Sequence, residues 1–211
     1  SAVRLGVPDI GLLTMHEMVD NAGRIAEASG LPLIADADTG YGGPINVRRT
    51  IQAYERAGVA GVHIEDQQWP KRCGHLAGKT LIPTEEMSAK IKAAVDARMD
   101  DDFVVIARSD ALAVEGFDAV MARGKAYEEA GADIIFIEAP RDMDQLRQIP
   151  EAFDVPTLYN LASSGKTPLL PLFAASLGAN ATILGLIVSV STLTGILLKP
   201  IFGFLSDRWG R

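Results

Sequence analysis

The sequence predicts an α/β fold from three observations. Short apolar strands alternate with amphipathic helices, which means βαβ units and a parallel sheet. Each strand runs into an acid or another polar residue at its C-terminal end, where a (β/α)8 barrel carries its active site. Such a barrel takes about 250 residues, yet only five good strands precede Leu170 in a chain of 211 residues. The expected architecture is an incomplete (β/α)8 TIM barrel of about five βα units over residues 1–170. A hydrophobic, transmembrane-like helix follows within residues 171–211.

Taken in order, a helix over residues 14–29 leads to the strand Leu33-Ile34-Ala35, which breaks into the glycine loop of IADADTGYG. Asp36 and Asp38 are two apart, so they point the same way while the chain stays extended. No basic residue lies between Leu31 and Ile45, so the pair suits a hard divalent cation. The alternative is a helix cap or an Asx-turn. Gly40, Gly42 and Gly43 allow close backbone approach.

A helix over residues 45–57, stopped by Ala57-Gly58, leads to a strand over 60–64 that ends at Glu65-Asp66. A third acid at the same end of the next strand is what a shared cation would need. Mg2+ takes a few carboxylates and keeps waters that a chelating substrate can displace. His63, inside the strand, reads as a core histidine. KRCGH follows, with Lys71, Arg72 and His75 around the lone Cys73. Such charge stabilises a thiolate and favours a surface loop, although a single cysteine is also read as an inert small hydrophobe.

Helices over residues 83–98, 117–130 and 142–153 separate three further strands. These end at Arg108-Ser109-Asp110, at Glu138 and at Asn160. The planar fork of Arg108 suits a substrate carboxylate. A salt bridge to Glu138 on the next strand is the other reading, and both can hold in one protein.

Composition narrows the classes. The net charge of −7 and the lack of a basic run argue against nucleic acid. One cysteine excludes an internal disulfide framework and suits a reducing compartment. No phosphate loop or dinucleotide fingerprint is present.

In order, RLGVPDIGLLT, IADADTGYG, VHIEDQ, KRCGHLAGK, VVIARSDALAVEG, IFIEAP and NLASSGKTPLL resemble the isocitrate lyase and phosphoenolpyruvate mutase superfamily. KRCGH marks its carbon–carbon lyase branch, that of methylisocitrate and dimethylmalate lyases. The resemblance implies Mg2+, with Mn2+ as a substitute, held by Asp36, Asp38 and Glu65 directly or through water. It implies Cys73 as the acid, with Lys71, Gly74 and His75 in its loop, and Arg108 as the carboxylate clamp. Asp9, Glu138 and Asn160 are further site groups. The implied reaction is cleavage of a 2-hydroxy di- or tricarboxylate, in a cytoplasmic homo-oligomer. Against that family's pattern, a strand, a helix and a second strand are expected before Ser1, and an eighth strand after Pro168.

Residues 182–198 carry no charge and the apolar character runs to Leu205, long enough to cross a bilayer. This tail resembles a transmembrane helix of a major facilitator transporter followed by its loop motif at 203–211. The expectation is a join of two truncated pieces, with membrane association through residues 183–205. A buried helix of a soluble domain is the alternative, and so is an inactive remnant.

Overall fold

The computed structural model of the protein describes residues 6, 9–73 and 78–160, with only the backbone of Tyr159 and Asn160. They belong to the first of two units into which the chain divides, Ser1–Leu161. The tail expected at 171–211 lies outside the described residues, as do Gly74 and His75. Among the described residues no helix is long and apolar enough to cross a membrane.

One parallel sheet forms the frame, with strands β1 (Ile34–Asp36), β2 (Gly61–Glu65), β3 (Val104–Ser109), β4 (Ile134–Glu138) and β5 (Thr157–Asn160) side by side in chain order. The helices are α1 (Met15–Ser29), α2 (Pro44–Arg56), α3 (Thr84–Val95), a short α4 (Ala111–Val114), α5 (Phe117–Glu129) and α6 (Met143–Ala152). Crossovers of one hand between sequential neighbours put the long helices on a single face. They touch in chain order, α1 on α2, α2 on α3, α3 on α5 and α5 on α6. This is the winding of a barrel sector and not of a doubly wound sheet.

Local signals explain the element ends. Thr14 caps α1 in a reciprocal box with Glu17, and Gly30 closes it at φ +62°, together worth about 1 kcal/mol. Gly58 and Gly131 take positive φ after α2 and α5, as the Ala-Gly pairs predict. The expected helix over 83–98 stops at Val95, because Arg98 turns inward to Phe103 O at 3.0 Å and Asp133 Oδ2 at 2.8 Å. The unforeseen α4 occupies one turn directly after β3.

Strand alternation assigns the two faces. Val62, Ile64, Val105, Ala107, Ile135 and Ile137 are fully buried against the helices, the larger ones contributing roughly 1.5–3 kcal/mol each. The register sets Asp36 beside His63, Glu65 beside Arg108, and Arg108 beside Phe136. These side chains therefore share the opposite, concave face. Ile34 and Leu158, on that face of the edge strands, are exposed.

Asp66, one residue past β2, fastens the strand ends together. Its Oδ1 accepts from the Asp110 N–H at 2.9 Å, while its Oδ2 accepts from the Ser109 hydroxyl at 2.6 Å and the Tyr127 hydroxyl at 2.8 Å. Burial pushes its carboxyl up, and those three donors oppose the shift. Asp66→Asn should cost about 1–2 kcal/mol, because one amide oxygen cannot serve donors on both sides. The denaturation midpoint should fall at unchanged m-value. An unchanged midpoint would show that the hydroxyls find other partners.

Candidate active site

Where β1 ends, the chain does not stay extended. Asp38 takes φ +47°, and its N–H donates to Asp36 Oδ1 at 2.8 Å. This is the Asx-turn alternative, and it replaces the expected picture of two acids projecting in parallel. Three neighbours hold the loop. The Tyr54 hydroxyl donates to Asp36 O at 2.8 Å, the Thr50 hydroxyl to Gly40 O at 3.1 Å, and Lys90 Nζ to Thr39 O at 3.2 Å. Gly40 is required here, since at φ +84° a Cβ would lie 2.5 Å from Val47 Cγ2.

Asp38 is buried, and Lys71 lies between it and Asp9. The ammonium is 2.7 Å from Asp38 Oδ1 and 2.7 Å from Asp9 Oδ1. Burial pushes the Asp38 carboxyl up, as does the charge of Asp36, while Lys71 pulls it down. Burial also opposes the charge on Lys71, but Glu65, Asp38 and Asp9 outweigh it and hold the ammonium above its ordinary value. Asp9, Asp36 and Asp38 line a cavity of about 80 Å³.

A second cluster centres on Arg108. Its Nε lies 3.2 Å from Asp110 Oδ2 and 3.6 Å from Glu65 Oε2, and its Nη2 is 3.5 Å from Glu138 Oε2. Phe136 lies under the guanidinium, 5.3 Å from ring centroid to Cζ. The Arg108–Glu138 bridge weighed from sequence is thus present. His63 departs from the satisfied core histidine expected of it. Its Nδ1 is buried without a hydrogen bond, 3.7 Å from Asp36 Oδ1, and burial lowers its pKa.

Among the described residues, no group of three or more His, Cys, Asp or Glu is placed to hold a metal ion. Asp36, Asp38 and Glu65 therefore do not form a ready-made three-carboxylate cage, because Lys71 occupies Asp38 and Arg108 stands beside Glu65. A hydrated divalent ion still fits the donors. Glu65 Oε1 is buried without a hydrogen-bond partner, and among the described residues of the two clusters the acids Asp9, Asp36, Asp38, Glu65, Asp110 and Glu138 outnumber the cations Lys71, Lys79 and Arg108. Mg2+ bonds one or two carboxylates and keeps several waters, so it does not need three direct ligands.

Burial holds the Glu65 carboxyl well above its ordinary value of 4.5, against the pull of Arg108. A raised carboxyl pKa contributes stability below about pH 4.5, and that contribution is lost as pH rises through the folded value. Glu65→Gln should accordingly stabilise the metal-free protein by about 1 kcal/mol near pH 8, with no gain near pH 4.5. Denaturation at both pH values checks this, and equal effects at the two would remove Glu65 ionisation as the cause.

Of the remaining expected residues, Cys73 is half-buried and follows directly from the anchored Lys71. Asn160 pairs with Glu138 in the β4–β5 register, its side chain being outside the description. Sequence reading gave no role to Asp66, Asp110, Lys79 or Tyr54. The adjacent polar residues in Glu65-Asp66 and Ser109-Asp110 were the available signal, one of each pair turning to each face.

A parallel sheet that gathers buried acids, a lysine and an arginine at its C-terminal edge defines an acid–base site of the (β/α)8 type. The chain belongs to the isocitrate lyase/phosphoenolpyruvate mutase superfamily, the phosphoenolpyruvate phosphomutase family profile matching residues 1–193. It is 52% identical to 2,3-dimethylmalate lyase of Eubacterium barkeri over 87% of this chain and 64% of that protein. It is 51% identical to 2-methylisocitrate lyase of Shewanella oneidensis over 78% of this chain and 56% of that protein. The chain thus spans less than two thirds of the length of these curated relatives. A phosphonopyruvate hydrolase structure with oxalate and Mg2+ matches all of this chain and 84% of that one, at TM-score 0.64 and 28% identity. The family match continues past the boundary expected at residue 170, and the comparisons lend no support to a transporter-like fusion.

Proposed function

We propose that the chain carries the catalytic site of a carbon–carbon lyase that cleaves a 2-hydroxy di- or tricarboxylate of the dimethylmalate or methylisocitrate type. One observation carries the reading. Lys71 is fixed 2.7 Å from both Asp9 and Asp38, which ties the segment bearing Cys73 to the carboxylates at the strand ends. The similarity to two lyases of this kind supports it.

Asp36, Asp38 and Glu65 would hold a divalent ion, Mg2+ or Mn2+, directly or through water. When bound, such an ion would supply positive charge that eases loss of the proton from the substrate 2-hydroxyl. Arg108, oriented by Asp110, holds a substrate carboxylate. The long contacts of the guanidinium to Glu65 and Glu138 (3.6 and 3.5 Å) leave donor capacity for it. As the hydroxyl proton passes to a carboxylate of the strand-end cluster, the bond between the hydroxyl-bearing carbon and its neighbouring carbon breaks, and the hydroxyl oxygen becomes the carbonyl of a 2-oxo acid. The electron pair remains on the departing carbon, and the Cys73 thiol gives it a proton, leaving the sulfur as thiolate until solvent reprotonates it. The resemblance adds Gly74, His75, Asn160 and Glu138 to the residues of the reading.

The test is release of a 2-oxo acid from 2,3-dimethylmalate and 2-methylisocitrate with Mg2+ or Mn2+ present. Turnover of either supports the reading. A folded protein that cleaves neither with either metal would sink it.

A further inference from the structure

Asp110 joins two cations that lie far apart in sequence. Its Oδ1 accepts from Lys79 Nζ at 2.9 Å and from Arg108 Nη2 at 3.4 Å, and its Oδ2 accepts from Arg108 Nε at 3.2 Å. Its own N–H donates to Asp66 Oδ1 at 2.9 Å. The side chains of Lys79 and Asp110 are 2% and 0% exposed, so one carboxylate is shared between two cations in a place nearly closed to water. Asp66 fixes the position of that carboxylate through its bonds to Ser109 and Tyr127.

We propose that Lys79 is a positioning residue for Arg108. By sharing Asp110, it lets that carboxylate orient the guanidinium without neutralising it, so that Arg108 keeps its charge for a substrate carboxylate. The inference rests on the proposed role of Arg108 as a carboxylate clamp. Without Lys79, Asp110 and Arg108 form a one-to-one pair, and opposite charges attract more strongly where water is excluded. The fork is then drawn onto Asp110, and an arriving anion meets the charges of Glu65 and Glu138 with less to offset them.

The experiment is calorimetric titration of oxalate, as a carboxylate probe, into the Mg2+-supplemented wild type, Arg108→Gln, Lys79→Met, Lys79→Arg and the double variant Lys79→Met/Asp110→Asn. Melting temperatures are recorded in parallel. Lys79→Met should weaken oxalate roughly tenfold or more, and Lys79→Arg, which keeps the charge, should remain within about threefold of wild type. Lys79→Met is also expected to lower the melting temperature, because it leaves Asp110 buried with less compensation. The double variant removes that buried charge and should recover the melting temperature; its affinity should rise above that of Lys79→Met, because no carboxylate draws the fork away, yet stay below wild type, because none orients it. A double variant that recovers the melting temperature but binds no better than Lys79→Met would overturn the inference, because the unshared charge of Asp110 would then not be what weakens the clamp. If Arg108→Gln itself binds oxalate like wild type, or the wild type binds none, the clamp reading falls and the inference falls with it. If Arg108→Gln is weakened while the Lys79 variants are not, only the inference fails.

Discussion

Lys71→Met should lower the unfolding free energy of the metal-free protein by about 3–5 kcal/mol near pH 8. The lysine side chain is 2% exposed between Asp9 and Asp38, and its loss leaves Asp38 buried beside Asp36 without the ammonium that offset its charge. The effect should shrink in acid. Burial already raises the Asp38 carboxyl above its ordinary value of 3.8, and removing Lys71 raises it further. Stability from a group raised on folding is complete below its unfolded pKa and is lost as pH rises through the folded one. The variant should therefore be closest to wild type near pH 4 and fall away as pH rises. Melting curves at several pH values measure this, and a deficit independent of pH would mean that lost packing of the lysine stem outweighs the unpaired charge.

Cys73→Ser should reduce turnover by ~10²–10⁴-fold and leave the fold and metal affinity unchanged. A hydroxyl is a far weaker acid than a thiol, so the carbanion would lose its proton donor. Cys73 is half-buried and makes no part of the apolar core, so the melting temperature should move little. Single-turnover assays with each hydroxy acid separate the steps. A serine variant with the wild-type rate would take Cys73 out of the mechanism and leave protonation to another group.

Five strands, their direction and the helices between them could be read directly, within one to three residues at most ends. The reason is that short continuous apolar runs and Ala-Gly stops act over a few neighbouring residues. The short α4 after β3 was missed, because four residues carry too little periodicity to register. The site was legible as a roster of residues but not as a set of pairings. Asp36 and Asp38 were read as parallel acids, whereas a positive φ at Asp38 folds them into an Asx-turn.

What the sequence by itself determined is which residues reach the C-terminal edge of the sheet. In a parallel sheet, chain direction alone brings the last residues of each strand to the same end, so Asp36, Glu65, Arg108 and Glu138 gather there whatever their partners. Only the tertiary structure decided which of those charges neutralise one another. Lys79 meets Asp110 across 31 residues and Tyr127 meets Asp66 across 61, distances over which no local pattern operates. The Asp9–Lys71–Asp38 arrangement likewise brings together three separate segments of the chain. Such pairings follow from burial, because a charge removed from water must be matched by whichever opposite charge the packed sheet and loops bring within reach.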